Sequence, residues 1–138
     1  MIHAQTSITI ATPGQGLTEF TGQAAAWLSE QDVSVGLLTV FCRHTSASLT
    51  IQENADPDVQ RDLNDFFRRM VSDDTALYRH TAEGADDMPA HIRSALTDVS
   101  LSIPVNAGRM MLGTWQGIYL FEHRHRPHQR EVVLHLAG

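Results

Sequence analysis

A chain of 138 residues that is 42% apolar and 19% charged, with a net charge of −6, reads as one globular domain. The acidic balance argues against a general nucleic-acid binder, which draws its affinity from cationic neutralisation of phosphates. A single cysteine, Cys42, cannot form an intramolecular bridge, and its place in VGLLTVFC predicts a reduced core thiol in a cytoplasmic setting.

The opening MIHAQTSITIATPGQG has no basic region and no long apolar core, so no secretory leader is expected. No apolar run approaches the roughly 20 residues of a membrane span, so no membrane partner is expected either. His3 to Ala11 alternates, with Ile8 and Ile10 on one face, and predicts a half-exposed strand ended by Thr12-Pro13-Gly14. Leu17 to Gln31 places Leu17, Phe20, Ala24, Trp27 and Leu28 near helical spacing and predicts a helix. Val33 to Cys42 predicts a buried strand, and Leu49 to Gln52 a short one.

Asp56-Pro57 marks a helix start: an Asp cap, a Pro in the first turn, and Asp58 near the positive helix end. The stripe Val59, Leu63, Phe66, Phe67 and Met70 carries that helix to about Val71. Asp73 to Asp87 predicts a loop, and Met88 to Leu96 a short helix begun by Asp87 and Pro89. Strands follow at Asp98 to Val105, Arg109 to Leu112, Ile118 to His123 and Glu131 to Leu136. The order β-α-β-β-α-α-β-β-β-β favours antiparallel pairing and an α+β domain.

The last two strands predict a hairpin whose tip carries His125 and His128 as solvated turn residues. Ile118, Leu120 and Glu122 share one face of their strand. A carboxylate in that row is costly to bury alone, so Glu122 needs a partner or a chemical task.

Three other segments are unusually polar. In RHTSASLTIQENADPD, His44 ends a buried strand, hydroxyls follow at Thr45, Ser46 and Ser48, and Glu53, Asn54 and Asp56 stand at a helix entrance. Such loops either bind anions through free N–H groups or only cap the helix and close a turn. In YRHTAEGADDMPAHI, His80 and His91 flank an acidic loop. Their spacing matches no standard zinc motif, although three histidines from separate segments can build a metal site with an open position. In GTWQG, the glycines around Trp115 and Gln116 suit either a bulge with a core Trp or a stacking surface.

Together HTSASLTIQENADPD, YRHTAEGADDMPAHI and GTWQGIYLFEHR, in this order, resemble the YjbQ-like family of small bacterial and archaeal proteins, from about Gln5 to Gly138. The resemblance implies a single α+β domain with a β-sandwich-like core of antiparallel or mixed sheets and a few packed helices, assembled as a homotrimer. It implies secondary thiamine-phosphate synthase activity: hydroxymethylpyrimidine diphosphate and a thiazole phosphate join, and pyrophosphate leaves. It also implies a divalent metal, zinc or magnesium, in a site of motif histidines. On the matching positions, His44, His80 and His91 are the expected metal ligands. Glu53, Asn54, Asp62 and Glu122 take base, hydrogen-bonding or supporting roles. Thr45, Ser46 and Arg130 are expected to hold phosphate, Trp115 to stack on a ring, and Gln116 to line the site. A three-histidine site suits zinc better than magnesium, which prefers oxygen ligands. Two other readings stand beside this one. One is a metal-assisted hydrolase of a small phosphorylated or carbonyl substrate, and the other is a non-enzymatic trimeric protein that binds a small anion.

Overall fold

Alternating patterning becomes two antiparallel sheets in the computed structural model, which describes all 138 residues. In chain order the elements are β1 (His3–Thr12), β2 (Gly16–Glu19), α1 (Thr21–Ser29), β3 (Gly36–Cys42), β4 (Ala47–Glu53) and α2 (Pro57–Met70). A single 3₁₀ turn (Thr75–Leu77) leads to α3 (Asp87–Leu96), β5 (Ser100–Asn106), β6 (Arg109–Met110), β7 (Gln116–Glu122) and β8 (His128–Ala137). One sheet has five strands in the order β1-β8-β3-β5-β6, and the other has three, β2-β7-β4. The α+β class expected from the strand and helix order is the observed one.

The core lies between the sheets. Leu38 and Val40 of β3, Leu101 and Ile103 of β5, and Leu134 and Leu136 of β8 meet Leu49 of β4 and Ile118 and Leu120 of β7. Each such side chain, fully buried, contributes about 1.5–3 kcal/mol. Ala24 and Leu28 of α1 close the cluster. Cys42 joins it as a free thiol, and burial pushes its pKa up.

Two local expectations need correction. Leu17 is not helical: Gly16 to Glu19 pair with Glu122 to Tyr119 of β7, so the helix begins only at Thr21. Backbone pairing with a strand a hundred residues away outweighs the weak helical spacing of Leu17 and Phe20. The predicted C-terminal hairpin does not form. β7 pairs with β2 and β4, whereas β8 pairs with β1 and β3, so residues 123–127 cross between sheets. Four edges of hydrogen bonding, two per strand, are satisfied this way, whereas a hairpin would join only one edge of each.

Both faces of β7 are covered. Ile118 and Leu120 point into the core, while Phe121 meets the ring of Phe67 edge-on at 5.3 Å and Tyr119 receives Gln60 of α2 at 3.0 Å. The helix α2 therefore lies on the outer side of the three-stranded sheet. Asp56 caps it by accepting the Asp58 N–H at 2.9 Å, as its sequence predicts. Of its apolar stripe, Phe66 and Met70 remain about half exposed, at 49% and 47%.

Candidate metal centre

The N-terminus of α3 gathers the most concentrated chemistry. Asp86 precedes the helix but its carboxylate does not cap it. It accepts instead from Arg124 Nε at 3.0 Å and from the His125 N–H at 2.9 Å. That fixes the inter-sheet crossover against α3. Asp87, one residue on, shares a helix face with His91, four residues later. The chain before α3 turns at Gly84, whose φ of +108° suits only glycine, and carries His80 and Glu83 to the same place.

One ligand atom from each of His80, Glu83, Asp87 and His91 lies within 4.8 Å of all the others. Tetrahedral zinc with bonds of about 2.0 Å needs donor–donor edges of about 3.3 Å, so small side-chain shifts suffice. Asp87 Oδ2 lies 2.7 Å from His80 Nε2 and 3.1 Å from His91 Nε2. Its other oxygen accepts from Arg124 Nη1 at 2.8 Å. Burial pushes the Asp87 carboxyl up, but the His80 hydrogen bond and the charges of His91 and Arg124 more than offset it, so its pKa lies below the usual carboxylate range.

The tautomer of His91 sharpens the reading. His91 Nδ1 is 3.0 Å from the Thr45 carbonyl, which can only accept, so Nδ1 carries the proton. A neutral ring then aims the lone pair of Nε2 at a carboxylate oxygen. That contact is repulsive unless a proton or a metal ion lies between them. Two imidazoles and two carboxylates make a donor set that fits zinc better than magnesium.

The expected third histidine is elsewhere. His44 Nε2 accepts the backbone N–H of Glu131 at 2.8 Å, so its proton is on Nδ1 and neither nitrogen has a lone pair to spare. Burial, with Arg130 nearby, holds its pKa below the ordinary value. Asp87 and Glu83 stand in the cluster in its place.

Glu122 has the partner its sequence position demanded. Fully buried, it accepts from Arg130 Nε at 2.8 Å, from Arg130 Nη2 at 2.5 Å, from the Thr12 hydroxyl at 2.7 Å and from the Arg124 N–H at 3.2 Å. Arg130 is 5% exposed and also donates to Ser46 Oγ at 3.1 Å. With Nε and Nη2 occupied, Nη1, 3.5 Å from His44 Nδ1, is the nitrogen left to meet a phosphate. The pair ties β7 to β8 and holds the Ser46 loop.

Of the remaining expected residues, Glu53, Asn54, Trp115 and Gln116 lie at the other end of the same strand pair. In the β4–β7 register Ala47 faces Glu122, while Glu53 faces Gln116. Six residues of strand separate these ends by about 20 Å. There, Asn54 donates to Glu19 at 3.1 Å, and one buried Glu53 oxygen has no hydrogen-bond partner. Trp115 is 62% exposed, Gln116 Oε1 accepts the Gly113 N–H at 2.8 Å, and Asp62 is exposed on α2. Thr45 and Ser46 lie at the end with the histidine–carboxylate cluster. The chain thus splits the expected site residues into two groups.

Sequence reasoning missed Asp87, Glu83, Arg124 and Glu19. The four-residue spacing of Asp87 and His91 is a readable signal, but a helix start accounts for it equally well. Glu19 lies in the stretch whose spacing predicts a helix, and only its place in β2 brings it to Asn54. His123 was missed too. It is fully buried, its Nε2 lies 2.8 Å from Ser48 Oγ, and its Nδ1 has no partner. Burial, with Arg93 nearby, pulls its pKa down to about 3.

An acid prediction follows from His123. Its pKa is 6.5 when unfolded and about 3 when folded, so between those values the unfolded chain binds the extra proton. Stability is complete above pH 6.5 and is expected to fall below it by about 1.4 kcal/mol per pH unit. Urea titrations at pH 7, 6 and 5 measure this. His123→Gln should flatten the slope; an unchanged slope would place the acid sensitivity elsewhere.

The fold and centre define a small α+β protein of two antiparallel sheets with a histidine–carboxylate cluster at one end. The chain belongs to the family described as UPF0047 protein YjbQ-like, whose model matches residues 6–138. It is 58% identical to UPF0047 protein sll1880 of Synechocystis over 97% of this chain and 91% of that one. It is 43% identical to UPF0047 protein YjbQ of Escherichia coli O157:H7, over 97% of both. Among solved structures, the conserved hypothetical protein TT1486 of Thermus thermophilus superposes with a TM-score of 0.83 at 36% identity, covering 93% of this chain and 97% of that one. A Sulfolobus solfataricus YbjQ-like protein of unknown function shares the fold at TM-score 0.89 and 19% identity, over 99% of this chain and 98% of that one. No helix here is long and apolar enough to cross a membrane.

Proposed function

We propose that this chain is a metal-dependent secondary thiamine-phosphate synthase. It would join hydroxymethylpyrimidine diphosphate to a thiazole phosphate: the ring nitrogen bonds to the pyrimidine methylene carbon, and the C–O bond to diphosphate breaks. The supporting observation is the buried Asp87 carboxylate faced by two imidazole Nε2 atoms, a contact that a proton or a metal ion between them would balance. His80, Asp87 and His91 would hold zinc, with Glu83 able to join them. When bound, the ion supplies positive charge to the departing diphosphate.

The chain's own groups do the positioning. Arg124 aims Asp87, and the Thr45 carbonyl sets the His91 tautomer. Thr45 and Ser46 would meet the phosphates, with Arg130 holding Ser46 in place. Trp115 would stack on a substrate ring, and Glu53, Asn54, Asp62 and Gln116 would orient it. Because Trp115, Glu53, Asn54 and Gln116 lie at the far end of β4–β7, we place the complete site between copies of a homotrimer, with one copy's Trp115 end beside another's cluster. The reduced Cys42 fits a cytoplasmic setting.

A metal-assisted hydrolase is the second reading. The His80 side chain is 47% exposed, so water can reach the centre. Untagged protein, assayed for metal and then given both synthase substrates, distinguishes the two. About one zinc per chain with thiamine phosphate and pyrophosphate as products supports the synthase. Zinc with hydrolysis of a phosphate ester and no coupled product supports the hydrolase. No bound metal removes both.

A further inference from the structure

A second group of unspent donors lies away from the metal centre. Between the turn after β1 and the C-terminal end of α2 is an open cleft of about 570 Å³, lined by Gln15, Arg68, Asp73, Arg93 and His125 among others. Its rim is tightly built: Gly14 adopts φ +138°, and a Cβ there would come within 2.8 Å of the His125 carbonyl oxygen.

Arg93 is 4% exposed. Its Nε and Nη2 reach only the carbonyls of Phe67, at 3.4 Å, and Val71, at 3.2 Å. Its Nη1 is buried with no hydrogen-bond partner, and none of the chain's ion pairs includes it. Carbonyls at a helix C-terminus offset part of the cost of burying a cation. They leave the guanidinium without a carboxylate in salt-bridge contact, which buried arginines rarely lack.

Arg68 faces the same cleft. Its Nε donates to Gln15 Oε1 at 2.8 Å and its Nη1 stands 3.6 Å from Asp65, which leaves Nη2 uncommitted. Two arginines and one carboxylate, Asp73, line the cleft, and Asp65 pairs with Arg68 from outside it. Guanidinium forks match the spacing of phosphate oxygens.

We propose that this cleft binds a phosphate group through Arg93 and Arg68. The site is separate from the metal centre: six residues along α3 turn Arg93 about 120° from Asp87. It does not rest on the synthase reading.

Calorimetric titration of the protein as purified, with inorganic phosphate and with a simple phosphomonoester, tests it. Saturable binding is expected, weakened about tenfold or more by Arg68→Ala and by Arg93→Gln, and unchanged by Asp87→Asn. The Arg68 side chain is 54% exposed, so its variant reports on binding even if the Arg93 variant folds poorly. Tighter binding of the ester marks a site for phosphorylated small molecules, and tighter binding of inorganic phosphate marks one for the free ion. No saturable binding overturns the proposal. So does binding that Arg68→Ala leaves intact, or that Asp87→Asn removes.

Discussion

Glu122→Ala is expected to destabilise the protein by about 3–5 kcal/mol, because it leaves Arg130 buried and unpaired. In a domain of this size that lowers Tm by on the order of 10 °C. The loss comes from the orphaned guanidinium and also from Thr12, whose hydroxyl loses its acceptor at 2.7 Å. Replacing the pair together, as Glu122→Leu with Arg130→Met, removes both charges and should recover most of the loss. Thermal and urea unfolding of the two variants check this. A double variant no more stable than Glu122→Ala would mean that the strands' packing, and not the ion pair, was damaged. The pH sign is fixed by geometry. Burial pushes the Glu122 carboxyl up, and Arg130 and Thr12 pull it down further, so its folded pKa lies below the ordinary 4.5. Its contribution is present above pH 4.5 and is lost as pH falls through the folded value, below the pH at which the His123 effect sets in.

Asp87→Asn is expected to abolish zinc binding while keeping the fold. The amide matches the carboxylate in shape but offers one neutral oxygen to two imidazoles, and zinc affinity should fall about 100-fold or more. Arg124 keeps Asp86 as a partner at 3.0 Å, so α3 stays docked. Metal analysis beside circular dichroism reads both effects. His44→Ala is the informative comparison. The structure sets His44 apart from the cluster, so this variant should retain zinc, and its loss there would return His44 to the ligand set.

Much of the candidate site is legible in the residues. His80 and His91 stand out across an acidic loop, and they do converge. Glu122 is marked by its row as a buried carboxylate in need of a partner, and it has one. Asp56 capping, the α2 stripe and the central strands are local patterns, and local patterns are written in neighbouring residues. Asp87 escapes because an aspartate before a helical proline is equally a cap and a ligand. Only its distance to His80, across Gly84, separates the two.

What the sequence determined by itself was the class of domain, the positions of α2, α3 and most strands, and the few polar groups too costly to bury without a partner. These follow from period, propensity and desolvation, each of which acts within a few residues. The tertiary structure alone decided which strands pair. It sent β7 and β8 to different sheets and drew Leu17 into a strand, because hydrogen bonding along both edges outweighs a short turn or a weak helical pattern. It also decided which motif residues meet. His44 went to the Glu131 backbone and Arg130 to Glu122, and the Trp115 end was set a strand's length from the histidine–carboxylate cluster, since register across a sheet is fixed by the whole core and not by any one segment.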